Sequence, residues 1–128
     1  MTQVGNSDLK IKLTPKQMEK SLLQKVERLD AFEERLNVSI EKLSIKVDND
    51  DSVRFSLFGE LHTTSGTELK NSIKVVCVLY DKDSKILEQR TSYFVTDTYF
   101  GFEVFEFRFN EDGIANEVGS IRIYPKKW

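Results

Sequence analysis

Few side chains in this sequence are of kinds that do chemistry, and those few stand apart from one another. Cys77 is the only cysteine and His62 the only histidine. A cysteine nucleophile needs a base within hydrogen-bond reach. Strand alternation sets Cys77 on the face of Ile73, Val75 and Leu79, whereas His62 lies on the other side of its strand from Leu61. The two point into different environments, and Cys77 reads as a small buried hydrophobe. One histidine and one cysteine make no familiar zinc set either. Asp81-Lys82-Asp83-Ser84-Lys85 begins like a calcium loop, but Lys85, Ile86 and Ser92 stand where an oxygen ligand, a glycine and a glutamate are needed. It reads as a hairpin turn closed by its own Asp and Ser side chains. Asp48-Asn49-Asp50-Asp51 sets oxygen-bearing side chains in a row, as a solvated turn or a weak cation cluster does. Glycine-rich phosphate loops and a serine-nucleophile elbow are absent. The expectation is a non-enzyme with no catalytic residue, no cofactor and no metal.

The other candidates are aromatic. In Tyr99-Phe100-Gly101-Phe102-Glu103-Val104-Phe105-Glu106-Phe107-Arg108-Phe109, apolar residues fall on even positions up to Val104 and on odd positions from Phe105. A one-residue slip sends every later side chain to the other face. The switch therefore predicts a bulge, or a strand passing between sheets, near Gly101 or Val104. Most of these rings are needed for a core, and the surplus, Tyr99, Phe100 and Phe102, forms a candidate interaction surface. Tyr124, with Lys126, Lys127 and Trp128, adds a small basic-aromatic end.

These residues need a scaffold, and 128 residues suffice for one domain. A formal charge of −2 argues against nucleic acid as a partner, since phosphate binding rests on a basic excess. The first residues lack the basic start and apolar stretch of an export signal, and no apolar run approaches the ~20 residues that span a bilayer. The expectation is a cytoplasmic protein with no membrane partner.

Residues 1–13 read as a lead-in, with an alternating stretch over 9–13. Thr14, Pro15 and Gln17 carry a capping box with proline at the first helical position. Met18, Leu22, Val26, Leu29, Phe32 and Leu36 then recur every three or four positions, predicting one amphipathic helix over residues 14–36. From Asn37 the period is two. Val38, Ile40, Ile45 and Val47 make a strand with a phase slip near Lys42 that implies a bulge. Val53 to Leu61 alternate as a half-buried strand. Ile73 to Tyr80 are apolar on both faces, as in a strand buried between two layers. Ile86 to Val95 and the aromatic run follow, and Ile121 to Tyr124 form a last short strand stopped by Pro125. Strands after one helix predict a mainly β protein. It is a two-layer antiparallel immunoglobulin-like β-sandwich over residues 37–125 with an N-terminal amphipathic helix. A helix-capped barrel is the alternative.

The pattern Gly59-x-Leu61, Ser65-Gly66-x-x-Leu69-Lys70-Asn71 and Val75-x-Cys77-x-Leu79-Tyr80-Asp81-Lys82-Asp83 resembles the FxLYD family of bacterial domains. The resemblance implies a small immunoglobulin-like sandwich of an often exported or membrane-tethered kind, with no catalytic residue. Phe105 or Phe107 is similar in place to the aromatic of a later strand. The N-terminal helix and the Phe-rich run lie outside the pattern.

The functional expectation is a protein-binding or assembly module that contacts a protein partner or a second copy of itself. The alternative is a small-ligand-binding or enzymatic barrel, its apolar pocket lying between the helix and the Phe-rich strand. The helix stripe is the first-ranked cover for the aromatic residues, self-association the second and a foreign partner the third.

Overall fold

The computed structural model describes residues 13–48 and 50–128. The alternating stretch over 9–13 therefore lies almost wholly outside the described residues. In chain order the elements are α1 (Pro15–Gln24), β1 (Val26–Arg28), α2 (Asp30–Arg35), β2 (Val38–Val47), β3 (Phe55–Thr63), β4 (Ile73–Tyr80), β5 (Ile86–Phe94), β6 (Phe102–Phe109), α3 (Ile114–Glu117) and β7 (Ser120–Lys127). The strands form two sheets, one of order β1-β7-β4-β5 and one of order β2-β3-β6. The molecule is mainly β and is not a barrel.

Each sheet turns one face to a shared core. Ile40, Leu57, Leu61, Phe105, Phe107 and Phe109 come from the smaller sheet, and Ile73, Val75, Cys77, Leu79, Ile121 and Ile123 from the larger. Val75 to Leu79 are buried without a break, as expected of a strand apolar on both faces. The bulge read near Lys42 is present. Glu41 pairs with Glu60 and Ser44 with Phe58, so Lys42 and Leu43 together oppose Gly59. Lys42 takes a left-handed φ of 57°.

The single helix over 14–36 is corrected. The capping box forms as read: the Gln17 N–H donates to Thr14 Oγ1 at 3.2 Å, and the Thr14 N–H donates to Gln17 Oε1 at 2.9 Å. The helix nevertheless stops at Gln24, and Val26–Arg28 extend as a strand parallel to β7, opposite Ile121, Arg122 and Ile123. The sheet is thus not wholly antiparallel. Long-range bonding wins over local period here. The Ile121 N–H donates to the Lys25 carbonyl at 3.0 Å, and Lys25 Nζ donates to the Val118 carbonyl at 3.0 Å. Helix continuation would leave the Ile121 N–H and the Val118 carbonyl without these partners. Burial on α1 concentrates at Leu22, while Leu29 is a half-buried linker and Phe32 is exposed.

Two strand readings also change. β7 runs through Pro125, which pairs with Val75 of β4. β1 ends opposite Ile123, so at Pro125 the strand has a ladder partner on one side only, where a missing N–H is tolerated. The expected phase switch in β6 is absent. Its ladder with β3 runs unbroken from Phe55 opposite Phe109 to His62 opposite Phe102.

Candidate functional site

Because β6 keeps one register, its side chains divide cleanly. Phe105, Phe107 and Phe109 enter the core, and Phe102, Val104, Glu106 and Arg108 stand on the outer face of the smaller sheet. Phe102 is 51% and Val104 63% exposed, and Phe100, just before the strand, is 75% exposed. Across the ladder Phe102 meets His62, with stacked rings at 5.1 Å and 13°. His62 Nε2 lies 2.7 Å from Glu60 Oε1, and Glu60 is opposite Val104. Half-buried Phe58 extends the apolar strip toward Glu106. At the far end Arg108 reaches Asp48 Oδ2 at 3.8 Å. The strip is bordered by charge of both signs.

Tyr99 does not belong to this surface. It is 4% exposed, and its hydroxyl lies 2.6 Å from the Leu61 carbonyl and 2.8 Å from that of Gly101. Burial pushes its pKa above the usual phenol value. The ring anchors the loop entering β6. Gly101, at a left-handed φ of 80°, turns the chain while its N–H donates to the Thr67 carbonyl at 2.7 Å. Phe100 is thereby left outside and Phe102 is started on the outer face.

The C-terminal aromatics do not form one site. Tyr124 packs edge-on against Phe32 of α2, with ring centroids 5.6 Å apart. Trp128, 58% exposed, packs at 4.9 Å against Tyr93. Lys126 stands opposite Lys74 on the same outer face of the larger sheet.

The reactive candidates are separated as read. Cys77 lies in the core on β4, and burial pushes its thiol from 9.0 up to about 12. His62 is on the outer face of the other sheet. Asp81 Oδ1 accepts from the N–H groups of Asp83 at 2.8 Å and Lys85 at 2.9 Å, which commits it to closing the turn. The Asp48 to Asp51 stretch, of which Asn49 is outside the described residues, is answered by arginine. Arg54 lies 3.5 Å from Asp48 and 3.7 Å from Asp50. Hydrogen bonds from Ser52 hold the Asp50 carboxyl below its ordinary pKa. Among the described residues no group of metal-ligating side chains comes together.

The helix and the Phe-rich strand, between which a pocket was expected, meet different edges of the smaller sheet. α1 packs on β2, and β6 lies at the opposite edge of that sheet. A cleft of about 520 Å³ instead borders α2 and the start of β2, where Arg28, Asp30, Glu33, Asn37 and Ser39 make it polar. Buried Glu33 accepts from Arg28 Nε at 3.0 Å and Nη2 at 2.8 Å, and also from the Ile40 N–H at 3.0 Å. The sequence held no signal for this cluster, because Glu33 looks like any helix-surface carboxylate until β1 and β2 bracket it. None of the helices among the described residues is long and apolar enough to cross a membrane. Compared with known proteins, the chain matches no family model and no curated protein.

Proposed function

We propose that the protein is a non-catalytic protein-binding module of immunoglobulin-like topology that meets its partner on the β6 side of the smaller sheet. The strand orders support the topology. β2, β3 and β6 follow the A-B-E order of such domains, and β5, β4 and β7 follow C′-C-F, with β1 in the place next to F. The FxLYD resemblance over Gly59 to Asp83 implies the same class. The observation that carries the binding reading is the strip of Phe100, Phe102 and Val104, exposed together on a sheet face whose β2 members Ser39, Glu41, Ser44 and Lys46 are polar. Aromatic residues on a charged rim are the composition of interface centres.

The test is affinity capture from the native host with the wild-type chain and with Phe102→Lys, folding being checked by circular dichroism. A partner held by the wild type and lost by the folded variant supports the reading. Identical partner sets for both chains, or a small molecule retained in native mass spectra, would overturn it.

A further inference from the structure

The smaller sheet has two edges, and the chain treats them differently. The β2 edge is closed by side chains: the Val47 N–H donates to Glu19 Oε2 at 2.8 Å, the Ile40 N–H donates to Glu33 Oε1 at 3.0 Å, and α1 lies against the strand. A bulge between Glu41 and Ser44 further spoils that edge for pairing. Among the described residues the β6 edge has none of these devices. It is eight residues long, contains no proline and keeps unbroken register with β3, its only ladder partner among the described residues. A straight edge of this length presents a row of N–H and C=O groups that template another strand.

The sequence of β6 also indicates which strand fits. Laid antiparallel on itself about Phe105, it sets Phe102 of one copy against Arg108 of the other and Val104 against Glu106. No like charges meet on the outer face in this register. Each outer-face contact occurs twice by symmetry, as in any isologous interface. A guanidinium over the exposed Phe102 ring is a favourable pairing. The register shifted by one residue on each strand toward Phe109 brings Glu106 onto Glu106. The free edge of the larger sheet, β5, offers no such match, because Glu88 to Ser92 are consecutively polar.

We infer that the partner on this side is a second copy of the chain, joined by antiparallel β6–β6 pairing into one continuous six-stranded sheet. This inference rests on β6 being the contact side and adds the identity of the occupant.

Sedimentation velocity on the full chain from micromolar to millimolar concentration tests it, together with amide exchange. The expected result is a concentration-dependent dimer in which the amides of Val104, Glu106 and Arg108, which alternate away from β3, gain protection as dimer forms, while those of Ile40 and Val47 do not change. Val104→Asp, which faces Glu106 of the other copy, should weaken dimerisation ~100-fold. Val104→Thr, the control for strand propensity, should keep the dimer. A wild type that is monomeric throughout overturns the inference, as does a Val104→Asp dimer of undiminished strength. A monomer with those β6 amides protected at every concentration also overturns it. The capture experiment with Phe102→Lys judges the wider binding reading separately.

Discussion

Replacing Gly59 by alanine is the sharpest probe of the core. Gly59 sits on β3 opposite the β2 bulge, and its missing side chain makes room for two neighbours. A Cβ there would lie 2.5 Å from Phe105 Cζ and 2.9 Å from Leu43 Cδ2. Ordinary carbon contacts are about 3.5–4.0 Å, so roughly 1 Å of overlap must be relieved. Leu43 is half-buried on the bulge and can swing outward. Phe105 cannot, because its buried ring is held between Phe94 at 6.3 Å and Phe107 at 5.3 Å. Overpacking of this kind costs about 1–3 kcal/mol, which in a chain of this size lowers the melting temperature by roughly 3–12 °C. Urea unfolding followed by tryptophan fluorescence and circular dichroism measures the change, with the slope expected to match the wild type. Phe105→Leu should cost less in the Gly59→Ala background than alone, by about 1 kcal/mol. A Gly59→Ala protein as stable as the wild type, or strictly additive losses in the double variant, would refute the close approach of Phe105.

Three further outcomes follow from buried groups. Glu33→Ala leaves the Ile40 N–H without its acceptor and should cost ~1–3 kcal/mol, with faster exchange of the Ile40 amide as the specific sign. Tyr99→Phe should cost ~1 kcal/mol and speed amide exchange at Gly101, since the lost hydroxyl holds the loop to the Leu61 carbonyl. Cys77 should resist iodoacetamide until the chain unfolds. Its thiol ionises near 9.0 when exposed but only at about 12 when folded, so the folded state holds the proton more tightly. The associated stability is full below pH 9 and is lost as pH rises toward 12, and Cys77→Ala should remove that part of the pH dependence.

What was legible in the sequence was local. Thr14, Pro15 and Gln17 fix a helix start by neighbouring hydrogen bonds, and the phase slip at Lys42 marks a real bulge because alternation on both sides is strict. Ile73 to Tyr80 could be recognised from apolarity alone. The failures were questions of partnership. Val26 fits a helical stripe and a strand equally well, and what decides is Ile121, far along the chain. The aromatic run misled differently: the even parity of Phe100, Phe102 and Val104 implies a switch only if apolar side chains mark one buried face along the whole run. The strand instead keeps its phase and leaves both rings outside. Tyr99, adjacent to them, is buried because its hydroxyl finds two carbonyls, which no spacing rule foretells.

The parallel pairing of Val26 with Ile121 has a consequence for how the chain reaches its structure. Two of the five ladders, β2 with β3 and β4 with β5, join strands that follow one another in the chain and can form as soon as each hairpin is present. The β1–β7 bond closes a loop that contains almost every other element, with Lys25 reaching Val118 across 93 positions. Closure over that distance is entropically costly and slow. During synthesis, α1 and β1 leave the ribosome before β2 to β7, and β1 has no strand to join until β7 follows. A nascent chain stalled before Ser120 should therefore hold the smaller sheet while its first segment is still protease-sensitive, and protection of that segment should arrive as the last step of folding.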